Sequence, residues 1–231
     1  MKVNIGNKGF TIIELMIATA IFSFILLIAT TGIIRIGQMY YKGVTESKTQ
    51  DNVRAVSDEL SRSIQFAKST VKLHPDNMPD FSNNTVKRFC LGDYRYTGYL
   101  DKPYIQTANN TPSANKTGLW SEKLKSGSEC ACTINCVDQT AQMLGSNVRL
   151  LHMNVNRIGE GDKAWNVNVK IAYGDSDLLT HNDERGDLIT TGTPEERFNR
   201  RKDSTCRDSR ATGSSFCAVA QLDTVVKKRL N

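Results

Sequence analysis

The stretch KGFTIIELMIATAIFSFILL, residues 8 to 27, determines the architecture, because it is apolar over the length of a membrane span yet carries a carboxylate at Glu14. From Phe10 to Ile34, Glu14 is the only ionisable residue, and Arg35 closes the run. About 20 apolar residues, rising about 1.5 Å each, span the core of a bilayer. The run is longer than the apolar region of a secretory signal and lacks a small-residue cleavage site after it. We therefore predict one membrane-embedded helix near the N-terminus.

The flanking charges and the cysteines predict the orientation of this helix. Lys2 and Lys8 precede the apolar run, and basic residues beside a span tend to stay in the cytoplasm, so the C-terminal part is expected outside it. Six cysteines, an even number, all lie beyond the helix: Cys90, Cys130, Cys132, Cys136, Cys206 and Cys217. In an oxidising compartment such a set forms a disulfide framework, which agrees with the predicted orientation.

Glu14 requires a partner. A carboxylate in hydrocarbon costs on the order of 2.5 kcal/mol or more, and ionisable residues in membranes usually face an opposite charge. The sequence offers no positive group within the helix, so we expect the partner on another copy or another subunit. A free α-amino group fits this role if the chain is cut just before Phe10.

The residues KGFTIIELMIA resemble the processing signature of type IV prepilins and the related pseudopilins. The resemblance implies that a prepilin peptidase cuts between Gly9 and Phe10 and methylates the Phe10 amine. It also implies that Glu14 meets the N-terminal amine of a neighbouring subunit. The implied partners are other pilin subunits, the peptidase, an inner-membrane assembly platform, and membrane lipid before assembly. The resemblance covers about the first 30 residues. A bitopic membrane protein whose glutamate reaches the headgroups is the alternative.

The helix is expected to continue beyond the membrane, from about Phe10 to Lys68. Apolar residues recur at helical spacing on one face, at Val53, Val56, Leu60 and Ile64. The predicted segments are a leader (1–9), a transmembrane half of the helix (10–34), an amphipathic half (35–68) and an extracytoplasmic β-rich domain (69–231). Relatives of the resembling family often carry a proline near the end of the apolar part. Thr30, Thr31 and Gly32 stand there instead, so a kink or melted turn is an open alternative.

Alternating apolar residues predict the sheet that covers the amphipathic half of the helix. The pattern is clear from Ala164 to Tyr173 and less regular from Asn147 to Ile158, where Leu151, Met153 and Val155 are the apolar positions. Further strands are predicted at 216–226 and 89–100, whereas 101–129 and 174–205 read as polar loops. The predicted fold class is α+β: a long N-terminal helix, membrane-embedded in its first half, packed on an antiparallel sheet, pilin-like, with disulfide-pinned loops.

The cysteine spacing predicts a Cys206–Cys217 disulfide across a Ser/Gly-rich stretch. Cys90 is expected to join Cys130, Cys132 or Cys136, with the other two paired together. Six cysteines allow 15 pairings, and a zinc site is the runner-up.

We find no catalytic motif, metal site or cofactor site, and so predict that the protein is not an enzyme. His74, His152 and His181 are scattered, and His152 reads as a half-exposed strand residue. The acid-rich stretch from Asp175 to Asp187 lacks the regular spacing of a calcium loop, so a solvated loop is favoured.

The formal net charge is +6, and loss of Lys2 and Lys8 with a leader lowers it by two. Basic residues cluster at Arg197, Arg200, Arg201, Lys202, Arg207 and Arg210, and at Lys227, Lys228 and Arg229. Such clusters neutralise phosphates, so a DNA contact during uptake is one hypothesis. Interspersed acids favour an ordinary solvated surface.

Together these features predict a structural subunit that acts in pilus assembly, adhesion, motility or DNA uptake. The chain length, cysteines and polar loops resemble a minor pilin of the kind found at filament tips. It is expected in the inner membrane, single-pass with its C-terminus outside the cytoplasm, and then in an extracellular filament. The alternatives are a minor pseudopilin of a type II secretion system and an uncleaved membrane-anchored adhesin or sensor.

Overall fold

The structure is a computed structural model that describes residues 9–67, 72–73, 86–101, 118–126, 130, 136–159, 163–182, 191, 194–207 and 216–229. It contains two helices, eight strands and a short 3-10 turn within these ranges. In chain order they are α1 (Ile12–Gln65), β1 (Lys72–Leu73), β2 (Val86–Leu91), β3 (Tyr94–Tyr99), β4 (Gly118–Leu124), β5 (Val137–Gln142), β6 (Val148–Arg157), β7 (Ala164–Tyr173), the 3-10 turn (Ser176–Leu178), α2 (Pro194–Lys202) and β8 (Ala218–Lys227). The chain forms two compact units, 1–41 and 42–231.

Helix α1 is continuous from Ile12 to Gln65, slightly shorter than predicted at both ends. The melted turn left open for residues 30–32 does not occur, because the helix continues through them. Their hydroxyls donate within the helix, from Thr30 Oγ to the Leu26 carbonyl at 2.7 Å and from Thr31 Oγ to the Ile28 carbonyl at 2.9 Å. Hydroxyls nearer the N-terminus do the same, from Thr19 to Met16 at 3.0 Å and from Ser23 to Thr19 at 2.8 Å.

The first half of α1 exposes its apolar side chains. Phe10, just before the helix, is 83% exposed, and even Leu26 is 49% exposed. Among the residues that the structure describes, α1 is the one helix long and apolar enough to cross a membrane. Exposed apolar surface of this extent is stable in lipid rather than in water, and it fits membrane anchoring.

In the second unit, the amphipathic half of α1 packs on antiparallel sheets. The predicted stripe is buried, since Val53, Val56, Leu60 and Ile64 are at most 3% exposed. They form one core with side chains from β2, β3, β4, β6, β7 and β8. Strands β1 to β5 form a five-stranded sheet in chain order, and β6, β7 and β8 form a three-stranded sheet. The predicted α+β fold class is confirmed.

A short pairing joins the two sheets after the end of β3. Leu100 forms a parallel bridge with Leu150, and the amide of the next residue, Asp101, donates to the Leu150 carbonyl at 2.7 Å. Asp101 has a φ of +60°, an uncommon conformation for a residue with a side chain. The bridge places Asp101 where the sheets meet.

The predicted strand at 89–100 is wrong, because it is a hairpin of two strands, β2 and β3. Gly92, with φ of +61°, and Asp93 form the turn between them. Such tight turns require positive φ, which glycine adopts without steric cost. Phe89 and Tyr96 pair across the hairpin with ring centroids 5.1 Å apart, and the Tyr96 hydroxyl bonds Ser63 Oγ of α1 at 2.6 Å.

Strand β4 lies in a region that the sequence predicts to be a polar loop. Its sequence contains a glutamate, Glu122, which is only 2% exposed. Arg95 pairs with it across the strands, with Nε 2.7 Å from Oε2, and Thr97 Oγ donates to the same oxygen at 2.9 Å. The charge of Glu122 is therefore neutralised inside the sheet by Arg95 on the neighbouring strand.

A β-bulge explains the irregular pattern of β6. Leu150 pairs with Ile171 and His152 pairs with Lys170, so Leu151 is an extra residue in the strand. The bulge reverses the alternation of faces. Leu150, Met153 and Val155 therefore join the core under α1, whereas Leu151, predicted on the same face as Met153, packs on the opposite side of the sheet.

The region 174–205, predicted to be a loop, forms in its described part a cover on the outer face of the three-stranded sheet. We call residues 174–182 and 194–207 the outer cover. Leu178 and Leu179 are buried against Leu151 and Ala172. Lys170 Nζ donates at 2.6 Å to the carbonyl of Lys202, the last residue of α2, where a cation interacts favourably with the helix terminus.

Disulfides pin these loops, as predicted. Cys206 of the outer cover is bonded to Cys217, just before β8, and Cys90 of β2 is bonded to Cys130. Cys136 is also disulfide-bonded, and Cys132 lies outside the described residues. The zinc alternative is wrong for Cys130 and Cys136, because sulfur in a disulfide has no thiolate to bind metal.

Candidate processing and assembly site

The predicted cleavage point lies outside the helix. Gly9 and Phe10 precede α1 and are both exposed. A Cβ atom added to Gly9 would meet no described atom within 4 Å. Glycine costs backbone entropy, so it is usually retained where the chain needs positive φ or close approach. Contacts within the described chain give no such reason here. Gly9 is therefore free of steric contact with the described chain.

Thr11 and Glu14 form a capping box at the start of α1. Glu14 Oε2 accepts hydrogen bonds from the Thr11 amide at 3.0 Å and from Thr11 Oγ at 2.7 Å. Thr11 Oγ in turn accepts from the Glu14 amide at 3.4 Å. The Thr11 carbonyl accepts from the Leu15 amide at 3.2 Å, the first bond of the helical ladder. Thr11 is thus the N-cap residue, and it satisfies donors that a helix start leaves free.

Glu14 has a neutral partner within its own chain, Thr11, in addition to the positive group that the sequence predicts on another molecule. Thr11 supplies two donors, and both act on Oε2. The described residues give the other oxygen, Oε1, no partner, so it can accept from a cation on another molecule while the cap stays intact. The sequence contained the signal, because Thr11-Ile-Ile-Glu14 before an apolar run is the pattern of a capping box.

A second polar cluster lies buried between the sheets and the outer cover. We call Asp101, Arg149, His181 and Ser204 the buried polar network. His181 lies between Asp101 and Ser204: Nε2 is 3.0 Å from Asp101 Oδ1, and Nδ1 is 2.7 Å from Ser204 Oγ. Arg149 also contacts this carboxylate, with Nη1 3.4 Å from the same oxygen, and its Nη2 donates to the Gly174 carbonyl at 2.8 Å.

The charges around Asp101 favour its ionised form. Burial by itself would raise the pKa of Asp101, but the hydrogen bond from His181 and the charges of His181, Arg149 and Arg201 outweigh it and lower that pKa below the ordinary value. A carboxylate oxygen only accepts, so a hydrogen bond to Asp101 requires a proton on His181 Nε2, while Ser204 Oγ bonds the other ring nitrogen, Nδ1.

The order serine, histidine, aspartate is that of a hydrolytic triad, but its burial indicates a structural role. Ser204 is 1% exposed and His181 is 2% exposed, so a substrate cannot reach the hydroxyl. A nucleophile must lie where a reacting atom can sit within about 3 Å of it. The network instead joins β6, the sheet junction and the outer cover. The sequence did not reveal it, since its members are far apart in the chain.

The remaining sequence predictions about chemistry change as follows. His152 is predicted to be half-exposed, but it is 6% exposed, because β6 is covered on both faces. The solvated loop predicted for 175–187 is wrong for its described part, where Leu178, Leu179, His181 and Asn182 are buried. Residues 183–187 and His74 lie outside the described chain.

The basic cluster is partly used within the molecule. Arg200 Nη2 donates to the Thr191 carbonyl at 2.7 Å, and Arg207 Nη2 donates to the Asn182 carbonyl. Lys202, Lys227 and Arg229 are exposed. Arg210 and the side chain of Arg197 lie outside the described residues. The phosphate-binding capacity that the sequence suggests is therefore smaller than the number of basic residues.

One comparison with known proteins identifies the N-terminal segment. Residues 5–30 match the family model described as the prokaryotic N-terminal methylation motif, and this match contains Gly9, Phe10, Thr11 and Glu14. No curated protein and no solved structure matches the chain. The motif covers the capped start of α1 and most of its apolar half. The chain thus carries the prepilin signature of type IV pilin-like proteins at its N-terminus.

Proposed function

We propose that this protein is a non-enzymatic structural subunit of a type IV pilus-like filament, cleaved between Gly9 and Phe10. The observation that carries the proposal is Glu14: a carboxylate in the first turn of an exposed apolar helix, with one oxygen capped and the other available. It lies within the segment matched by the methylation motif.

Cleavage would complete the pairing that Glu14 lacks. Hydrolysis at Gly9–Phe10 leaves an ammonium group on Phe10, next to the capping box. In a filament, the Phe10 amine of one subunit meets Glu14 Oε1 of its neighbour. In a setting of low dielectric constant this attraction is several times stronger than at a water-exposed surface. Until then Thr11 reduces the cost of holding the carboxylate near lipid.

The finer assignment is a minor pilin, held first in the inner membrane with the second unit outside the cytoplasm. Disulfides at Cys206–Cys217 and Cys90–Cys130 support an oxidising compartment. The burial of Ser204 and His181 supports a non-enzymatic role. The exposed Lys202, Lys227 and Arg229 leave a limited basic surface for a DNA contact. Adhesion and motility are equally compatible with the fold.

The test is the mass and location of the mature chain in cells that contain a prepilin peptidase and a pilus machinery. We expect the chain to begin at methylated Phe10 and to copurify with sheared filaments at low stoichiometry. Glu14→Gln keeps a side chain that can complete a capping box but removes the charge. It should be processed and inserted but absent from filaments. Glu46→Gln, which changes an exposed glutamate of the same helix, is the matched control.

The result is decisive in both directions. A chain that still begins at Met1 beside an active peptidase overturns the proposal. Equal incorporation of the Glu14→Gln variant removes the pairing role of the charge. If the chain is lost from filaments only when the type II secretion machinery is deleted, the chain is a pseudopilin instead.

A further inference from the structure

The capping box lies next to the Gly9–Phe10 bond, and this position suggests a second role for Thr11. Helix α1 begins at Ile12, and its N-cap is Thr11, so the Gly9–Phe10 peptide lies just outside the helical ladder. Within the described chain, nothing approaches the Cβ position of Gly9 within 4 Å, and Phe10 is 83% exposed. The bond is therefore accessible, and the box marks the point at which the helix begins.

Removal of the cap would change which residues are helical. The first turn of a helix has amides without intrahelical acceptors, and near lipid these amides have little water to bond. Thr11 Oγ accepts from the Glu14 amide, and Glu14 Oε2 accepts from the Thr11 amide. Without the hydroxyl, the Glu14 amide gains an acceptor if the helix extends backwards, because the Phe10 carbonyl is four residues before it. That extension draws Phe10 into the first turn.

We propose that Thr11 is a positioning residue for cleavage, holding the Gly9–Phe10 bond outside the helix where a peptidase can bind it in extended form. In the step itself, water adds across the C–N bond, leaving a carboxylate on Gly9 and an ammonium on Phe10. The inference rests on the proposed function, because it requires that this bond is the one cut. Thr11 acts on the reaction through the backbone and takes no part in the chemistry.

The experiment measures the rate at which membranes containing a prepilin peptidase remove the leader from the full-length chain. Thr11→Val keeps the shape of the side chain but removes the hydroxyl. Thr11→Asn changes the shape but supplies another strong N-cap. Thr19→Val is the matched control, since it deletes a hydroxyl that donates to the Met16 carbonyl inside the same helix. Membrane extraction with alkali checks the insertion of each variant.

We expect cleavage of Thr11→Val to slow about five-fold, the population change that one lost N-cap produces, with Thr11→Asn and Thr19→Val within about two-fold of the unaltered chain. Slow cleavage of Thr11→Asn beside normal cleavage of Thr11→Val overturns the inference, because the peptidase would then be reading side-chain shape. Equal rates for all variants overturn it as well. If the unaltered chain is not cleaved at all, the proposed function fails instead. Should Thr11→Val not insert, a slowed but inserted Thr11→Asn chain still refutes positioning by the cap.

Discussion

Asp101→Asn should destabilise the second unit strongly at neutral pH and much less in acid. The substitution removes the negative charge that faces His181 at 3.0 Å and Arg149 at 3.4 Å. Arg149 has a side chain that is 4% exposed, so it would remain as a buried cation without its counter-ion. Breaking a buried pair from one side costs about 3–5 kcal/mol in the free energy of unfolding. Because the Asp101 side chain retains 16% exposure, we expect the lower end, about 3 kcal/mol.

The pH dependence follows from the lowered pKa of Asp101. Between its pKa in the folded state and the unfolded value of about 3.9, the unfolded chain binds more protons than the folded chain. Stability from this group therefore rises with pH across that interval and is fully present above it. As the pH falls through the folded pKa, the carboxylate of the unaltered protein becomes protonated. The difference between it and the Asn variant should then shrink.

The assay is urea unfolding of the full-length chain in detergent, followed by tryptophan fluorescence at pH 7 and at acidic values. Trp165 is 3% exposed in β7 and reports on the sheet beside the network. The control is Asp138→Asn, which changes an exposed carboxylate on β5. Its free energy of unfolding should differ from that of the unaltered protein by less than about 0.5 kcal/mol. The reasoning is refuted if Asp101→Asn behaves like this control at pH 7, or if its deficit persists unchanged in acid.

Three further outcomes test other parts of the structure. Replacing both Cys206 and Cys217 by alanine opens a loop with a sequence separation of 11 residues. The free energy of unfolding in urea should fall by about 3 kcal/mol, and hydrogen exchange should show the largest loss of protection near the outer cover. Gly98→Ala places a Cβ 2.5 Å from Leu150 Cδ2 in the core and should cost about 1–3 kcal/mol in the same assay, whereas no loss would show that the core yields freely. Glu14→Val should still insert into the membrane but fall sharply in filament preparations, and undiminished recovery would contradict the pairing role.

Sequence periodicity predicted the parts of the fold that depend on local pattern. The alternation from Ala164 to Tyr173 gave β7 with its bounds, and the spacing of Val53, Val56, Leu60 and Ile64 gave the buried face of α1. Both patterns record a single apolar environment along one face of one element. Such patterns can be recognised in the sequence without knowledge of the contacts made by the rest of the chain.

Elements whose burial depends on distant partners could not be read in this way. Glu122 makes the sequence of β4 appear polar, but this side chain is buried because Arg95 pairs with it from β3. The bulge at Leu151 breaks the alternation in β6, and the outer cover over that strand buries His152, which by itself reads as a surface residue. In each case a contact distant in sequence changes the meaning of a local pattern.

At the candidate site, the sequence indicated Gly9, Phe10 and Glu14 but not Thr11. A carboxylate in an apolar run points to a positive charge as its partner, whereas Thr11 supplies a neutral hydroxyl and a backbone amide. Capping is a local interaction, so this partner was predictable from the sequence. The buried polar network was not, because Asp101, His181 and Ser204 meet only through the tertiary fold.

The internally bonded hydroxyls of α1 have a consequence for the contacts that copies of this helix could make with one another. Thr19, Ser23, Thr30 and Thr31 each donate to a carbonyl of their own helix, and their apolar surroundings offer neighbours only dispersion contacts. These hydroxyls therefore donate no hydrogen bond that would fix the height of one helix relative to an adjacent one. If copies of this helix pack side by side, we expect a polar contact that sets their axial stagger at the first turn, where Glu14 lies.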